Sequence, residues 1–125
     1  MNRTQITSTN APAAIGPYSQ AIKTDNLLFI SGQIPIDVKT GEMPDSIAEQ
    51  TKRCLTNLDA IAKEAGTSLK NAVKITVLLT DMNDFADMNK VYETFFSDVP
   101  PARVTYAVVA LPKNAQIEID AICTL

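Results

Sequence analysis

Apolar residues recur at two different periods along the 125-residue chain. In segments 46–65 and 83–97 they return every three or four positions, which predicts two amphipathic helices. Ser46 and Glu49 form a capping box, so the first helix should begin there. Gly66 should end it, because glycine readily adopts the left-handed backbone that closes a helix.

Six other segments alternate apolar and polar residues or are largely apolar, and these predict β-strands. In chain order they are 3–8, 19–23, 27–31, 73–80, 103–110 and 115–124. The polar residues at 24–26 join the second and third strands in a hairpin. Segments 10–18 and 32–42 contain proline and glycine and predict loops.

This order of elements predicts an α+β fold in a single domain over residues 1–125, with a mixed β-sheet and two helices. Because β-α-β crossovers are right-handed, both helices should pack on one face of the sheet. Alternation then places Leu78, Val109 and Ile122 on the opposite face, which is therefore partly apolar. An apolar open face predicts contact with another subunit, so we expect an oligomer.

The composition narrows the function classes. With 11 basic and 14 acidic side chains the net charge is −3, which disfavours a nucleic-acid-binding protein with a basic face. The absence of histidine excludes histidine-dependent nucleophiles, histidine general bases and imidazole zinc sites. Cys54 and Cys123 lack the spacing of metal ligands and predict buried core residues. The chain starts without an apolar segment and has no membrane-length apolar run, so we expect a cytoplasmic protein without a signal peptide or a membrane span.

Arg103 is the only ionised side chain between Asp98 and Lys113. An arginine in an apolar strand needs an acidic partner to offset its desolvation. Alternation places Arg103 and Thr105 on one face, and pairing of the last two strands would bring Glu118 to them on the open face. Two interpretations remain: an ion pair between Arg103 and Glu118 that fixes register, or a site whose guanidinium binds a small acidic ligand.

Five sets of motifs follow one another along the chain. The first three are Asn-Ala-Pro-Ala-Ala-Ile-Gly-Pro-Tyr-Ser-Gln at 10–20, Ser-Gly-Gln-Ile-Pro at 31–35 and Thr-Gly-Glu at 40–42. The fourth combines Asn-Asp-Phe at 83–85 with Asn-x-x-Tyr-x-x-Phe-Phe at 89–96. The fifth combines Pro-Ala-Arg at 101–103, Leu-Pro-Lys at 111–113 and Ile-Glu-Ile at 117–119. In this order and register they resemble the RidA family (YjgF/YER057c/UK114). The resemblance covers essentially the whole chain.

The resemblance implies a homotrimer of chorismate-mutase-like α+β subunits, with ligand sites in the clefts between neighbours. It implies a 2-iminobutanoate/2-iminopropanoate deaminase that hydrolyses 2-aminoacrylate and related 2-imino acids to 2-keto acids and ammonia. No metal and no cofactor are expected. Two alternatives remain: a non-catalytic trimeric binding module for 2-keto acids or similar carboxylates, and a ribonuclease or translation inhibitor, which the acidic composition disfavours.

The resemblance also assigns roles to individual residues. Arg103 would hold the substrate carboxylate, and Glu118 would orient or deprotonate the attacking water. The residues expected to contact substrate beside Arg103 are Tyr18, Ser31, Gly32, Asn89 and Thr105. The simpler alternatives are that Tyr18 only packs at an interface and that Gly32 only permits a turn.

The sequence departs from the family pattern at three places. Thr105 stands where many relatives have cysteine, and Ala107 replaces a common acidic residue. The segment between Phe96 and Arg103 is a few residues shorter than in familiar members. These departures put the substrate preference in question more than the reaction type.

Overall fold

The computed structural model describes residues 2–125 and contains one six-stranded sheet with two α-helices. The strands are β1 (Thr4–Ile6), β2 (Ala21–Thr24), β3 (Leu27–Gln33), β4 (Ala72–Leu79), β5 (Ala102–Ala107) and β6 (Ile117–Thr124). The α-helices are α1 (Ile47–Glu64) and α2 (Phe85–Tyr92). Short 3-10 helices span Leu69–Asn71, Met82–Asp84, Glu93–Phe95 and Pro112–Asn114. The predicted α+β class is confirmed.

The strands lie in the order β1-β2-β3-β6-β4-β5. β4 and β5 are parallel, and all other neighbours are antiparallel. β6 therefore lies in the middle of the sheet and β5 at its edge, so the last two strands of the chain do not pair. The two strands differ in burial, which suits their positions in the sheet. Every second residue of β6 is buried, as in a central strand, whereas β5 has no buried residue and suits an edge.

The first helix begins and ends as its sequence predicts. The Ser46 side chain accepts a hydrogen bond from the backbone N–H of Glu49 at 3.1 Å, and Gly66 follows the helix with φ of +90°. The second helix is shorter than the predicted segment 83–97, because a 3-10 turn continues from Tyr92. The consecutive prolines at 100–101 then require extended backbone.

The two faces of the sheet differ in what covers them. Residues of β4 and β6 that face the helices, such as Val77 and Ile119, are fully buried. On the open face Phe29, Val104 and Tyr106 are between 42% and 53% exposed. The predicted apolar open face is therefore present, although Val109 is not part of it, since β5 ends at Ala107 and Val109 lies fully exposed in the following loop.

Buried side chains of α1 bond to the backbone at the end of β3 and just before β6. The Cys54 thiol donates to the carbonyl of Gln33 at the end of β3, at 3.1 Å. The Gln50 side-chain oxygen accepts from the backbone N–H of Gln116, immediately before β6, at 3.0 Å. These contacts fix the strand ends that carry the candidate residues of β3 and β6. Cys54 and Cys123 are both free and buried, as predicted.

Neither described helix combines the length and apolar character needed to cross a membrane.

Candidate functional site

Arg103 lies on the face of the sheet that the helices cover. It is in register with Ile75 of β4, which is fully buried beneath the helices. One terminal nitrogen, Nη1, donates to the side-chain oxygen of Asn89 on α2 at 2.8 Å. The guanidinium carbon lies 4.7 Å from the ring centre of Tyr92 and 5.6 Å from that of Phe85. The sequence-predicted Arg103 and Asn89 are thus in direct contact.

No carboxylate pairs with Arg103 within residues 2–125. The two ion pairs formed there are Arg53 with Asp37 and Lys63 with Asp59. The internal Arg103–Glu118 ion pair is therefore absent from the chain. A guanidinium has five N–H donors, so the bond to Asn89 leaves capacity for an acidic ligand.

Two buried hydroxyls lie around this arginine. Thr105, two residues further along β5, points to the same face as Arg103. The hydroxyl oxygens of Thr105 and Tyr92 are inaccessible to solvent and have no hydrogen-bond partner among the described residues. Burial raises the pKa of Tyr92, against the opposing effect of the Arg103 charge. Buried polar groups usually find a partner, so the Thr105 hydroxyl is a candidate for contact with a ligand, water or another subunit. We call Arg103, Asn89, Thr105, Tyr92 and Phe85 the arginine cluster.

Glu118 lies on the opposite, open face. It is in register with Leu78 of β4, and its carboxylate lies against Gly32 of β3. A Cβ atom on Gly32 would come within 2.5 Å of a Glu118 carboxylate oxygen and 2.9 Å of its carbon. Gly32 belongs to β3, where the register with β6 shifts between Ile30 and Gln33. The glycine therefore provides space for the carboxylate and does not serve a turn.

Ser31 precedes Gly32 in β3 and is bonded to the segment that carries Tyr18. The Ser31 hydroxyl donates to the carbonyl of Ser19 at 2.7 Å. The Tyr18 side chain is 48% exposed, and its hydroxyl accepts from the backbone N–H of Ile15 at 3.2 Å. A shallow groove of about 510 Å³ includes Ser31 and Gly32 in its walls. We call Glu118, Gly32 and Ser31 the glutamate cluster; no contact joins Tyr18 to it within residues 2–125.

A second carboxylate accompanies Glu118 on the open face. Asp120 follows at the next position of that face and is in register with Thr76. Burial, and secondly the charge of Asp120, raise the pKa of Glu118 above its ordinary value. Burial also raises the pKa of Asp120, and outweighs the lowering effects of Thr76 and Lys74. A half-buried carboxylate with a raised pKa is better suited to accept a proton near neutral pH.

The structure corrects one prediction about the site. Arg103, Thr105 and Glu118 do not converge on the open face, because Arg103 and Thr105 face the helices. The prediction required β5 to pair with β6, whereas β4 separates them. A single chain therefore presents the arginine cluster and the glutamate cluster on opposite faces of the sheet.

Comparison with known proteins identifies the family. The family model described as Endoribonuclease L-PSP matches residues 8–125. RutC family protein y4sK of Sinorhizobium fredii is 58% identical over 121 residues, which cover 96% of this chain and 96% of that protein. This chain belongs to the Endoribonuclease L-PSP family, also known as the YjgF/RidA family.

Two further relatives of this RidA-family protein have informative names. A protein of Mus musculus named 2-iminobutanoate/2-iminopropanoate deaminase is 49% identical over 121 residues, with 96% of this chain and 90% of that protein covered. The crystal structure of E. coli TdcF with bound serine matches with a TM-score of 0.94 at 40% identity, covering 98% of each chain. The resemblance found in the sequence is confirmed for family and fold.

Sequence reasoning missed part of the site of this RidA-family protein. The helical spacing of Tyr92 and Phe85 alone predicts ordinary core positions, although both rings contact Arg103. The available signal was their spacing around Asn89, since residues four before and three after it share one helical face. Asp120 could have been found by strand alternation, because it lies two residues from Glu118.

Replacing Gly32 by alanine should strongly reduce the Glu118-dependent activity proposed below without unfolding the protein. The added methyl group collides with the end of a flexible side chain, so Glu118 moves and the backbone stays. A misplacement of about 1 Å in a catalytic group can cost about 10²-fold, and we expect a loss of that order in kcat. Steady-state kinetics together with thermal unfolding measure both quantities. A fully active Gly32→Ala variant would show that the position of Glu118 is unimportant.

Proposed function

We propose that this protein is a cofactor-free imine deaminase, which hydrolyses 2-aminoacrylate and related 2-imino acids to 2-keto acids and ammonia. The observation that carries the proposal is a half-buried arginine that has no carboxylate partner within residues 2–125. Relatives about half identical to this chain are named as deaminases of 2-imino acids. These substrates carry the carboxylate that such an arginine binds.

Arg103 would fix the substrate by its carboxylate. Two parallel N–H···O bonds from a planar guanidinium hold a carboxylate in one orientation. This grip places the carbon of the C=N bond at a defined distance from the water-binding residue, and such positioning supplies much of a catalysed rate. Asn89 would hold the guanidinium by the bond it already accepts from Nη1.

Glu118 would activate the water. A protonated imine is a strong electrophile, so the water needs only modest help. Water adds to the C=N carbon, and its proton passes to the Glu118 carboxylate. The nitrogen of the tetrahedral intermediate takes this proton back from Glu118 and leaves as ammonia, while the hydroxyl group of the intermediate gives its proton to the Glu118 carboxylate and becomes the carbonyl of the 2-keto acid. The released ammonia then takes that proton from Glu118 and becomes ammonium. General-base assistance of this kind contributes about 10²–10⁴-fold.

We further propose a homotrimer in which each site takes Arg103 from one copy and Glu118 from its neighbour. The two clusters lie on opposite faces of one chain, so a second copy is required to bring them together. The half-exposed apolar residues of the open face support such an association, because burying them against a neighbour is favourable. Tyr18, Ser31 and Gly32 would line the cleft beside Glu118, and Thr105 would do so beside Arg103.

A second candidate is a non-catalytic module that binds small carboxylates. The E. coli relative TdcF has been solved with bound serine, an amino acid that carries a carboxylate. Both functions need Arg103, and only the enzyme needs Glu118 as a base. Ribonuclease activity, which the family description suggests, suits this chain poorly, because the net charge is −3 and histidine is absent.

The position of the acid limb of the pH–rate profile should depend on the negative charge of Asp120. A general base works only when ionised, so kcat/KM should fall as the pH drops through the raised pKa of Glu118. Asp120→Asn removes a nearby negative charge, so this pKa and the acid limb should move to lower pH. Asp25→Asn is the matched control, since it changes the charge equally in the exposed β2–β3 turn. Identical profiles for wild type and Asp120→Asn would contradict Glu118 as the base.

A coupled assay tests the proposed function. A pyridoxal-phosphate threonine dehydratase releases the imino acid, and the formation of 2-ketobutyrate is followed with and without this protein. We expect faster release of the 2-keto acid in its presence. The absence of any acceleration would overturn the deaminase and favour the carboxylate-binding module.

A further inference from the structure

Three residues of α2 form one stripe that faces Arg103. Phe85, Asn89 and Tyr92 are spaced by four and three residues, so they share one side of the helix. Asn89 accepts a hydrogen bond from the guanidinium, and the guanidinium carbon lies over the two aromatic rings. The stripe therefore contacts the guanidinium through one hydrogen bond and two aromatic rings.

Such contacts restrict a side chain that would otherwise be flexible. A free arginine loses considerable rotational freedom when it binds a carboxylate through two bonds, and this loss weakens binding. A cation over an aromatic face is attracted to it, most strongly where water is excluded. Tyr92 is only 6% exposed, and its ring is the nearer of the two, at 4.7 Å.

We propose that Tyr92, assisted by Phe85, is a positioning residue that holds the Arg103 guanidinium in the orientation that binds a carboxylate. The inference rests on the proposed function, because the carboxylate is that of the 2-imino acid. The Tyr92 hydroxyl forms no hydrogen bond within residues 2–125, so the ring makes the contact with Arg103. The ring is therefore the part that matters.

The contact can be observed without any assay of activity. The chain has three arginines, Arg3, Arg53 and Arg103, so the NMR spectrum of their Nε–H groups is simple, and Arg103→Lys identifies the Arg103 signal. The ring current of Tyr92 should shift this signal upfield in wild type. The shift should persist in Tyr92→Phe and shrink markedly in Tyr92→Leu, which keeps only the more distant ring of Phe85. An unchanged signal in Tyr92→Leu would overturn the proposal.

Phe96 provides a matched control. Its ring packs on Tyr92 with 4.7 Å between the ring centres, yet it makes no cation–π contact with Arg103 among the described residues. Phe96→Leu therefore removes an aromatic ring from the same group without uncovering the guanidinium. The Arg103 signal should keep its shift in this variant.

Kinetics then test whether the contact serves the reaction. Tyr92→Leu should lower kcat/KM about tenfold, mainly through KM, because a loosened arginine binds the carboxylate less well. Tyr92→Phe and Phe96→Leu should stay within about twofold of wild type, since both keep the ring over Arg103. Equal kcat/KM for Tyr92→Leu and Phe96→Leu would overturn the positioning role. If Tyr92→Leu does not fold, Phe85→Leu should show a smaller loss of the same kind, since that ring is more distant at 5.6 Å.

The two proposals can fail separately. If wild type shows no turnover, the deaminase proposal fails, and the affinity for pyruvate then replaces KM in the comparison of the variants. A pyruvate affinity that is the same in Tyr92→Leu and Phe96→Leu would still overturn the positioning role.

Discussion

Replacing Arg103 by alanine is expected to abolish deaminase activity while the protein keeps its fold. The change removes the group proposed to bind the substrate carboxylate, and a lost charge-paired contact of this type costs about 2–5 kcal/mol, or roughly 30-fold to about 5,000-fold in kcat/KM. Arg103 lies on the edge strand and forms no ion pair within residues 2–125, so its removal breaks little internal structure. The coupled assay and thermal unfolding measure the two effects.

Arg103→Lys is the informative companion to this variant. Lysine keeps the positive charge and loses the planar fork, so weak binding and a partial rate should remain. The expected order of activity is wild type, then lysine, then alanine. Normal turnover by Arg103→Ala would refute the proposal that Arg103 binds the substrate carboxylate.

Replacing Glu118 by glutamine is expected to lower kcat by about 10²–10⁴-fold and to leave binding of the 2-keto acid product nearly unchanged. Glutamine has almost the same size and still fits over Gly32, yet it cannot accept a proton. Measurements of kcat and of pyruvate affinity on the same preparation separate the two effects.

This comparison also separates the enzyme from the binding module. If the protein only binds carboxylates, neither wild type nor Glu118→Gln would show turnover, and both would bind pyruvate with the same affinity. Loss of pyruvate binding in parallel with kcat would instead assign Glu118 to ligand binding and contradict its role as a base.

The elements of the fold could be predicted from local patterns, whereas strand pairing could not. Helical spacing and the capping box located the start of α1 at Ser46. Alternation showed which β4 and β6 residues face the helices, such as Val77 and Ile119. It cannot show which strand lies beside which, because pairing depends on contacts between distant segments. The residues of β5 are more exposed than those of β6, which suits a strand at the edge of the sheet.

The same limit applies to the candidate site. The motifs singled out Arg103, Glu118 and Gly32, and the structure puts the last two in contact. Their position relative to Arg103 depends on the strand order, because β4 separates β5 from β6. Arg103 therefore lies on the face opposite Glu118. The contact of Tyr92 with Arg103 was missed for a different reason, since an aromatic residue on a helical stripe has the pattern of ordinary core packing.

We propose that neighbouring copies complete one site from Arg103 and Glu118. This proposal can be tested by co-expressing Arg103→Ala and Glu118→Gln chains with different tags and purifying the mixed oligomers. Every mixed trimer has one cleft in three that combines an intact Arg103 from one copy with an intact Glu118 from its neighbour, so about a third of wild-type activity should return. Each variant alone should remain inactive. Mixed oligomers that are no more active than either variant alone would contradict a shared site.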